Sequence, residues 1–237
     1  ALYSIALPLS KLFIYFPRAI GGIMIPLTSE MWAKDEKFKI IQGIQSLYKY
    51  SMIVIIPLVL VTISYSSFII EILYGSQYVL AANTLKILVI GMIFAALLSI
   101  NIKFFAGIGK PAITSLLIYV GAIFNLIVNI ILIPKIGIIG AAISTSISYI
   151  MMMMISMIKL KKYIEIKYPL LIWIKTIIAS LIFFSIIAFL KINLTLNIWI
   201  ESGLVLFISG IIYIILLFLF KIINLVEIQT ILKRIIK

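Results

Sequence analysis

Seven apolar runs, each about the length of a bilayer crossing, constrain this chain more than any other feature. They lie near Tyr3–Leu27, Met52–Leu73, Leu85–Phe105, Ile113–Ile133, Ile138–Ile158, Leu170–Leu190 and Ile198–Phe220. Roughly 20 apolar residues in a helix span a hydrocarbon core ~30 Å thick, and a helix satisfies its own backbone polar groups where water is absent. Turn chemistry separates the runs: LYGSQY, GIGKPA, PKIG, KLKKYIEIKYP and KINLTLN follow the second to the sixth. Of 237 residues 65% are hydrophobic and 11% charged, where a soluble domain carries about 25% charged residues. The expected class is an all-α integral membrane protein.

Charge sets the expected orientation. The chain has 20 Lys+Arg against 7 Asp+Glu, a formal charge of +13. If the segment after Leu27 faces the cytoplasm, every basic residue outside the first run falls on that side except Lys86, Lys135 and Lys191. The reading is a multi-pass cell-membrane protein with an external N-terminal end and a cytoplasmic C-terminus. A basic excess of this kind faces anionic headgroups, so membrane lipids are the expected partners and nucleic acid is not. Between runs one and two, residues 34–48 carry Phe38, Ile41, Ile44 and Tyr48 at three- and four-residue steps, the pattern of an amphipathic helix on the cytoplasmic surface. At the other end, residues 221–237 read as a basic interfacial tail helix, with Ile222, Leu225, Ile228, Leu232 and Ile235 on one face.

The side-chain inventory argues against an enzyme. The chain has no Cys and no His, which removes thiolate chemistry and the commonest general base and metal ligand. Its acids, Glu30, Asp35, Glu36, Glu71, Glu165, Glu201 and Glu227, lie in loops or at the ends of runs. No catalytic group, metal or cofactor is expected. Two cations do stand inside an apolar run. Lys11 and Arg18 are seven residues apart, hence about two turns and ~10 Å apart on one helix face. Pro8, Pro17, Pro26 and Gly21-Gly22 make that helix easy to bend. Either the two side chains snorkel to opposite interfaces or both face a wet cavity and meet an anion. In the fourth run Asn125 and Asn129 stand at i and i+4, suited to interhelical hydrogen bonds, and in the fifth Gly140, Ser144 and Ser148 repeat a small residue that admits a close neighbour.

From Pro17 onward, PRAIGGIMIPLTSEMWAKDEKF, ILYGSQY, FFAGIGKPAITS and NLIVNIILIPKIGIIGAAISTSIS follow one another in an order that resembles the C-terminal half of polysaccharide flippases. These belong to the multidrug/oligosaccharidyl-lipid/polysaccharide exporter superfamily. The resemblance implies a fourteen-helix fold of two six-helix lobes plus two further helices. Residues 1–160 would form most of the second lobe, 161–220 the two additional helices and 221–237 the tail, with a missing N-terminal lobe of the same chain as partner. It also implies that the protein flips a polyprenyl-(pyro)phosphate-linked oligosaccharide by alternating access, for cell-surface polysaccharide biosynthesis. On that reading Arg18 and Lys11 bind the phosphate, and Asn125 and Asn129 meet sugar hydroxyls. A murein-precursor flippase or a drug exporter of the same superfamily is the nearest alternative, and a non-transporting scaffold of a glycan-assembly complex is the alternative of a different class.

The topology is testable because the chain has no cysteine of its own. Single cysteines at Lys110 and Lys161 are expected to label with impermeant reagents from the cytoplasmic side, and one at Tyr78 from outside. External labelling at 161 overturns the orientation.

Overall fold

The computed structural model describes residues 2–194 and 197–224, apart from the side chains at 16 and 18–21. Described in chain order, the elements are α1 (Leu2–Ala33), α2 (Lys37–Tyr74), a 3-10 turn at Ser76–Tyr78, α3 (Ala81–Gly107), α4 (Pro111–Leu160), α5 (Leu170–Asn193) and α6 (Ile198–Leu219). Helices α2 to α6 are each long and apolar enough to cross a membrane. α1 remains helical through Pro8, Pro17 and Pro26. The chain divides into two compact units, Ala1–Tyr168 and Pro169–Lys237.

α4 has 50 residues, which at 1.5 Å each would be a rod ~75 Å long, more than twice the hydrocarbon core. It is instead two antiparallel arms. The helix breaks at Ile136 and Gly137, the latter at φ 58 and ψ −137, a conformation that only glycine adopts readily. Across the break Gly140 faces Leu132, Thr145 faces Asn125 and Met152 faces Gly121, so partners recede in opposite directions from the turn. A Cβ on Gly140 would stand 2.7 Å from the Leu132 carbonyl group. The small-residue repeat Gly140, Ser144 and Ser148 is buried, and the two serine hydroxyls donate back to the Gly140 and Ser144 carbonyls at 2.8 and 2.7 Å.

α3 is the hub of the first unit, packing on α1, α2 and α4. Its middle, from Ile87 to Leu98, holds no polar side chain, and its lysines, Lys86 and Lys103, lie towards its two ends. Glycine brings two neighbours close. Gly91 lies against Ser146 of α4, and Gly107 against Thr28 of α1; a Cβ at Gly107 would be 2.7 Å from the Thr28 Cβ. At one end the core is aliphatic, built from Ala6, Ile55, Val59, Leu85, Leu88 and Ala142. At the other it holds a buried polar knot. The Tyr48 hydroxyl donates to Asn101 Oδ1, and Asn101 Nδ2 donates to Ser156 Oγ at 2.8 Å, tying α2, α3 and α4 together. Trp32, Phe104, Phe105 and Tyr163 surround that end with edge-to-face ring contacts of 5.5 to 6.5 Å.

The separate surface helix expected near 34–48 is replaced by the first part of α2, which continues unbroken into the apolar run. Nothing between Tyr50 and Met52 stops a helix, and the bend comes later, at Tyr65 with φ −114 and ψ 16. At 38 residues α2 is ~57 Å long, so much of it extends past a ~30 Å core. Its buried stripe is also rotated from the expected one. Ile40, Ile44 and Tyr48 face inward, whereas Phe38 is 71% exposed. The turns on either side behave as their residues dictate. Asp35 closes α1 in the left-handed region with Glu36 N–H on the Met31 carbonyl at 2.8 Å, and Gly109 closes α3 likewise with Lys110 N–H on Phe105 at 2.8 Å. Pro111 then opens α4 at its first turn.

The second unit is an antiparallel hairpin. Ala179, Ser180, Phe183 and Ile187 of α5 are buried, as are Val205, Ser209, Tyr213 and Leu217 of α6. The Phe183 and Tyr213 rings lie 5.5 Å apart. Lys175 Nζ donates to the Phe220 carbonyl at 3.0 Å, capping the end of α6. Of the tail helix expected over 221–237, residues 221–224 form a turn instead, with Lys221 in the left-handed region, and the rest lies outside the described residues.

Two substitutions probe this architecture. Asn101→Leu leaves the Tyr48 hydroxyl buried without its acceptor and is expected to cost about 1–3 kcal/mol. Gly140→Ala forces the α4 arms apart at a backbone contact and is expected to cost about 1–3 kcal/mol. Thermal melting of the detergent-solubilised protein measures both, and a wild-type melting temperature in either variant contradicts the packing described.

Candidate functional site

Polar groups inside an apolar helix pair are costly unless they meet each other. Between the arms of α4 they do. Asn129 Nδ2 donates to Asn125 Oδ1 at 2.9 Å, and Asn125 Nδ2 approaches Thr145 Oγ1 at 3.5 Å. Thr145 Oγ1 in turn is hydrogen-bonded to the Tyr3 hydroxyl of α1 at 2.9 Å. The result is one hydrogen-bonded line, Asn129 to Asn125 to Thr145 to Tyr3, running from the first arm through the second to α1. Asn129 Oδ1 is buried and has no donor among the described residues.

A cavity of about 320 Å³ opens beside this line, lined by Ile118, Gly121, Asn125, Thr145, Ser148, Tyr149 and Met152 among others. Size and polarity suit a ligand pocket: mostly apolar walls with a few converging hydrogen-bonding groups. Gly121 lets Met152 close one wall, since a Cβ there would overlap the Met152 sulfur. Tyr149 also packs against Ile14, Met92 and Ala95, which ties this wall of the cavity to α1 and α3. A cleft of similar size, 300 Å³, lies between α1 and α2 along Met24, Leu27, Ile40, Ile44 and Leu47. Its surface is almost wholly apolar, although Thr28, Lys39, Ser46 and Tyr50 stand along it.

Of the four residues expected to touch substrate, the structure brings two together, Asn125 and Asn129. Lys11 is exposed on α1 and is not part of the cavity lining. Arg18 falls within α1, but its side chain lies outside the described residues. Sequence reasoning missed Tyr3, Thr145, Ser148 and Tyr149. Tyr3 and Thr145 are 142 residues apart, and no spacing signal links them; the antiparallel return at Gly137 is what puts Thr145 opposite Asn125. Among the described residues no group of His, Cys, Asp or Glu is placed to hold a metal ion. The cavity lining carries no formal charge, so it offers hydrogen bonds and a ring face.

An all-helical fold with an uncharged cavity inside a helical hairpin fits a membrane exporter, and the comparisons make this specific. The family model described as "Lipid II flippase MurJ" matches residues 6–223. The chain belongs to this flippase family, within the multidrug/oligosaccharidyl-lipid/polysaccharide exporter superfamily, a family of transporters rather than enzymes, and is a multi-pass membrane protein. It is 35% identical over 238 residues to an uncharacterized membrane protein of Methanocaldococcus jannaschii, covering 99% of this chain and 46% of that protein. A probable low-salt glycan biosynthesis flippase of Haloferax volcanii is 26% identical over 70% of this chain and 35% of its own length. A putative O-antigen transporter of Shigella flexneri is 31% identical over 57% of this chain and 32% of its own. The fold is similar to an inward closed lipid II flippase MurJ structure, with a TM-score of 0.71 and 21% identity over 89% of this chain and 45% of that one. The chain thus spans about a third to a half of the length of the proteins it matches.

The hydrogen-bonded line predicts a coupling. Tyr3→Phe and Thr145→Val each remove one end of the same bond, so in a double-mutant cycle of thermal stability they are expected to be non-additive by about 0.5–1.5 kcal/mol. Full additivity rules the bond out.

Proposed function

We propose that the full protein flips a polyprenyl-(pyro)phosphate-linked oligosaccharide across the membrane for cell-surface glycan biosynthesis. The observation that carries this reading is the uncharged hydrogen-bonding cavity within a chain of a flippase family. Sugar hydroxyls both donate and accept, and the amide of Asn125, the hydroxyls of Thr145 and Ser148 and the ring of Tyr149 match them without burying a charge. Arg18 and Lys11, on one face of α1, are the proposed partners of the phosphate, for which the guanidinium fork of Arg18 is the better suited. In the fourteen-helix arrangement this chain supplies most of the second lobe with residues 1–160, and residues 161–220 supply the two additional helices. The C-terminus is cytoplasmic. Transport proceeds by rocking of the lobes around the substrate.

Two relatives whose names concern glycan export favour the oligosaccharide branch. The family model favours a second reading, transport of a lipid II-like murein precursor. Complementation separates them. Genes encoding the full-length protein would be placed in a strain lacking its oligosaccharide flippase and in one depleted of its lipid II flippase, with surface glycan and growth measured against protein level. Rescue of the first alone is expected, and rescue of the second alone moves the substrate to the murein precursor. Within the rescuing background Arg18→Leu is expected to abolish export at normal protein level, Arg18→Lys to retain part of it, and Lys11→Leu to have the smaller effect. Asn125→Leu should lower export at least tenfold. Wild-type export by Arg18→Leu and Asn125→Leu together refutes both assignments and leaves the scaffold reading.

A further inference from the structure

Beyond the end of α4 the chain does not hang loose. Lys161 to Tyr163 turn, and the next residues are irregular, with a tight turn at Glu165 where the Ile166 N–H donates to the Ile164 carbonyl at 3.1 Å. Ile164 and Ile166 are buried at 3% and 6% exposure, while Glu165 and Lys167 between and after them are exposed. The two isoleucines hold one side of this strap on the core while the charged residues point away from it. The strap is fastened to all four helices of its unit. Tyr163 meets Trp32 of α1 and Phe105 of α3, Gln45 Nε2 of α2 donates to the Lys167 carbonyl at 2.6 Å, and the Tyr168 hydroxyl donates to the Met157 carbonyl of α4 at 3.2 Å. Burial pushes the Tyr168 phenol up to about 12, so it stays a neutral donor.

The strap displays Lys161, Lys162 and Lys167 outward, with Glu165 as its one carboxylate. Lys161 Nζ is held over the Tyr168 ring at 5.9 Å. None of the three lysines is in an ion pair among the described residues. The α1–α2 corner at the same end of the unit is different. There Lys34, Lys37 and Lys39 are matched by Glu30, Asp35 and Glu36 at 2.5, 3.1 and 2.7 Å, so the corner is locally neutral. Two clusters of three lysines therefore stand at one end of one unit, one cancelled and one bare.

We propose that residues 161–168 form a preorganised site for the anionic phosphodiester headgroups of bilayer phospholipids. The strap directly follows a helix of membrane-crossing length, which sets it at the headgroup level. Lysine is a point charge that suits a mobile phosphate, and a backbone already pinned loses little freedom on binding. The bare charge is matched by the negative surface of the leaflet. The site is independent of the transport cavity and of what is transported.

The test uses the full chain in non-ionic detergent micelles doped with phosphatidylglycerol or phosphatidylcholine, reading melting temperature against lipid content. Phosphatidylglycerol is expected to stabilise the protein and phosphatidylcholine to do so far less, with the difference collapsing in 1 M salt, where the screening length falls to about 3 Å. Basic residues near an anionic surface are each worth roughly a fivefold change in binding, so Lys161→Gln/Lys162→Gln/Lys167→Gln should raise the half-effective lipid content on the order of a hundredfold. Lys162→Gln alone, at an exposed position, should give roughly a fivefold step and Glu165→Gln a shift the other way. Glu30→Gln/Lys34→Gln/Glu36→Gln/Lys39→Gln, which removes two lysines of the corner together with their partners and leaves its net charge unchanged, is the control and should leave the response unchanged. The proposal fails if the strap variants keep the wild-type response, if the control loses as much as the strap variants do, or if inorganic phosphate reproduces the stabilisation.

Discussion

Helices in lipid gain nothing from hiding apolar surface from water, because the solvent is itself hydrocarbon. What holds such a bundle is close backbone approach and the hydrogen bonds that polar side chains find only in each other. The first unit answers that constraint at α3. Gly91 and Gly107 let α4 and α1 approach it closely, and Asn101 anchors Tyr48 and Ser156 from two further directions. Every other feature of the unit depends on this hub, since α1, α2 and α4 are each fixed by their contact with it.

The same rule explains the polar line in α4. Asn125, Asn129, Thr145 and Tyr3 satisfy one another across three helical segments, and Asn129 Oδ1 is the one buried atom of the line with no donor among the described residues. Such a line stabilises the hairpin, and two of its members, Asn125 and Thr145, also line an open cavity. Structural and functional roles coincide here because a site in hydrocarbon has to be held together by the groups that it offers to a ligand.

How much of this was legible in the sequence depended on the range of each interaction. Gly109 before Pro111 and Gly137 after Pro134 write their turns locally, and both turns lie where those residues put them. The pair Asn125 and Asn129 was visible because i and i+4 is itself a local spacing. Asn101 gave no signal of its own: SINIKFF reads as one more apolar stretch, and its partners Tyr48 and Ser156 are 53 and 55 residues away. Tyr48 itself read as part of a surface stripe because periodicity gives a face but not its neighbour. The continuity of α2 was obscured for the opposite reason, since a change from polar to apolar composition near Met52 resembles a boundary although no residue there breaks a helix.

The tight return at Gly137 makes the α4 hairpin a lever. The two arms meet at Gly140 and Leu132, on average about 6 Å from the turn, whereas Asn125 and Thr145 lie about 15 Å from it at 1.5 Å per residue. A change in spacing at the pivot is therefore multiplied by roughly two and a half at the cavity. A methyl group added at Gly140 would press on the Leu132 carbonyl and part the arms at the pivot, so the bore of the cavity depends on a glycine that does not line it.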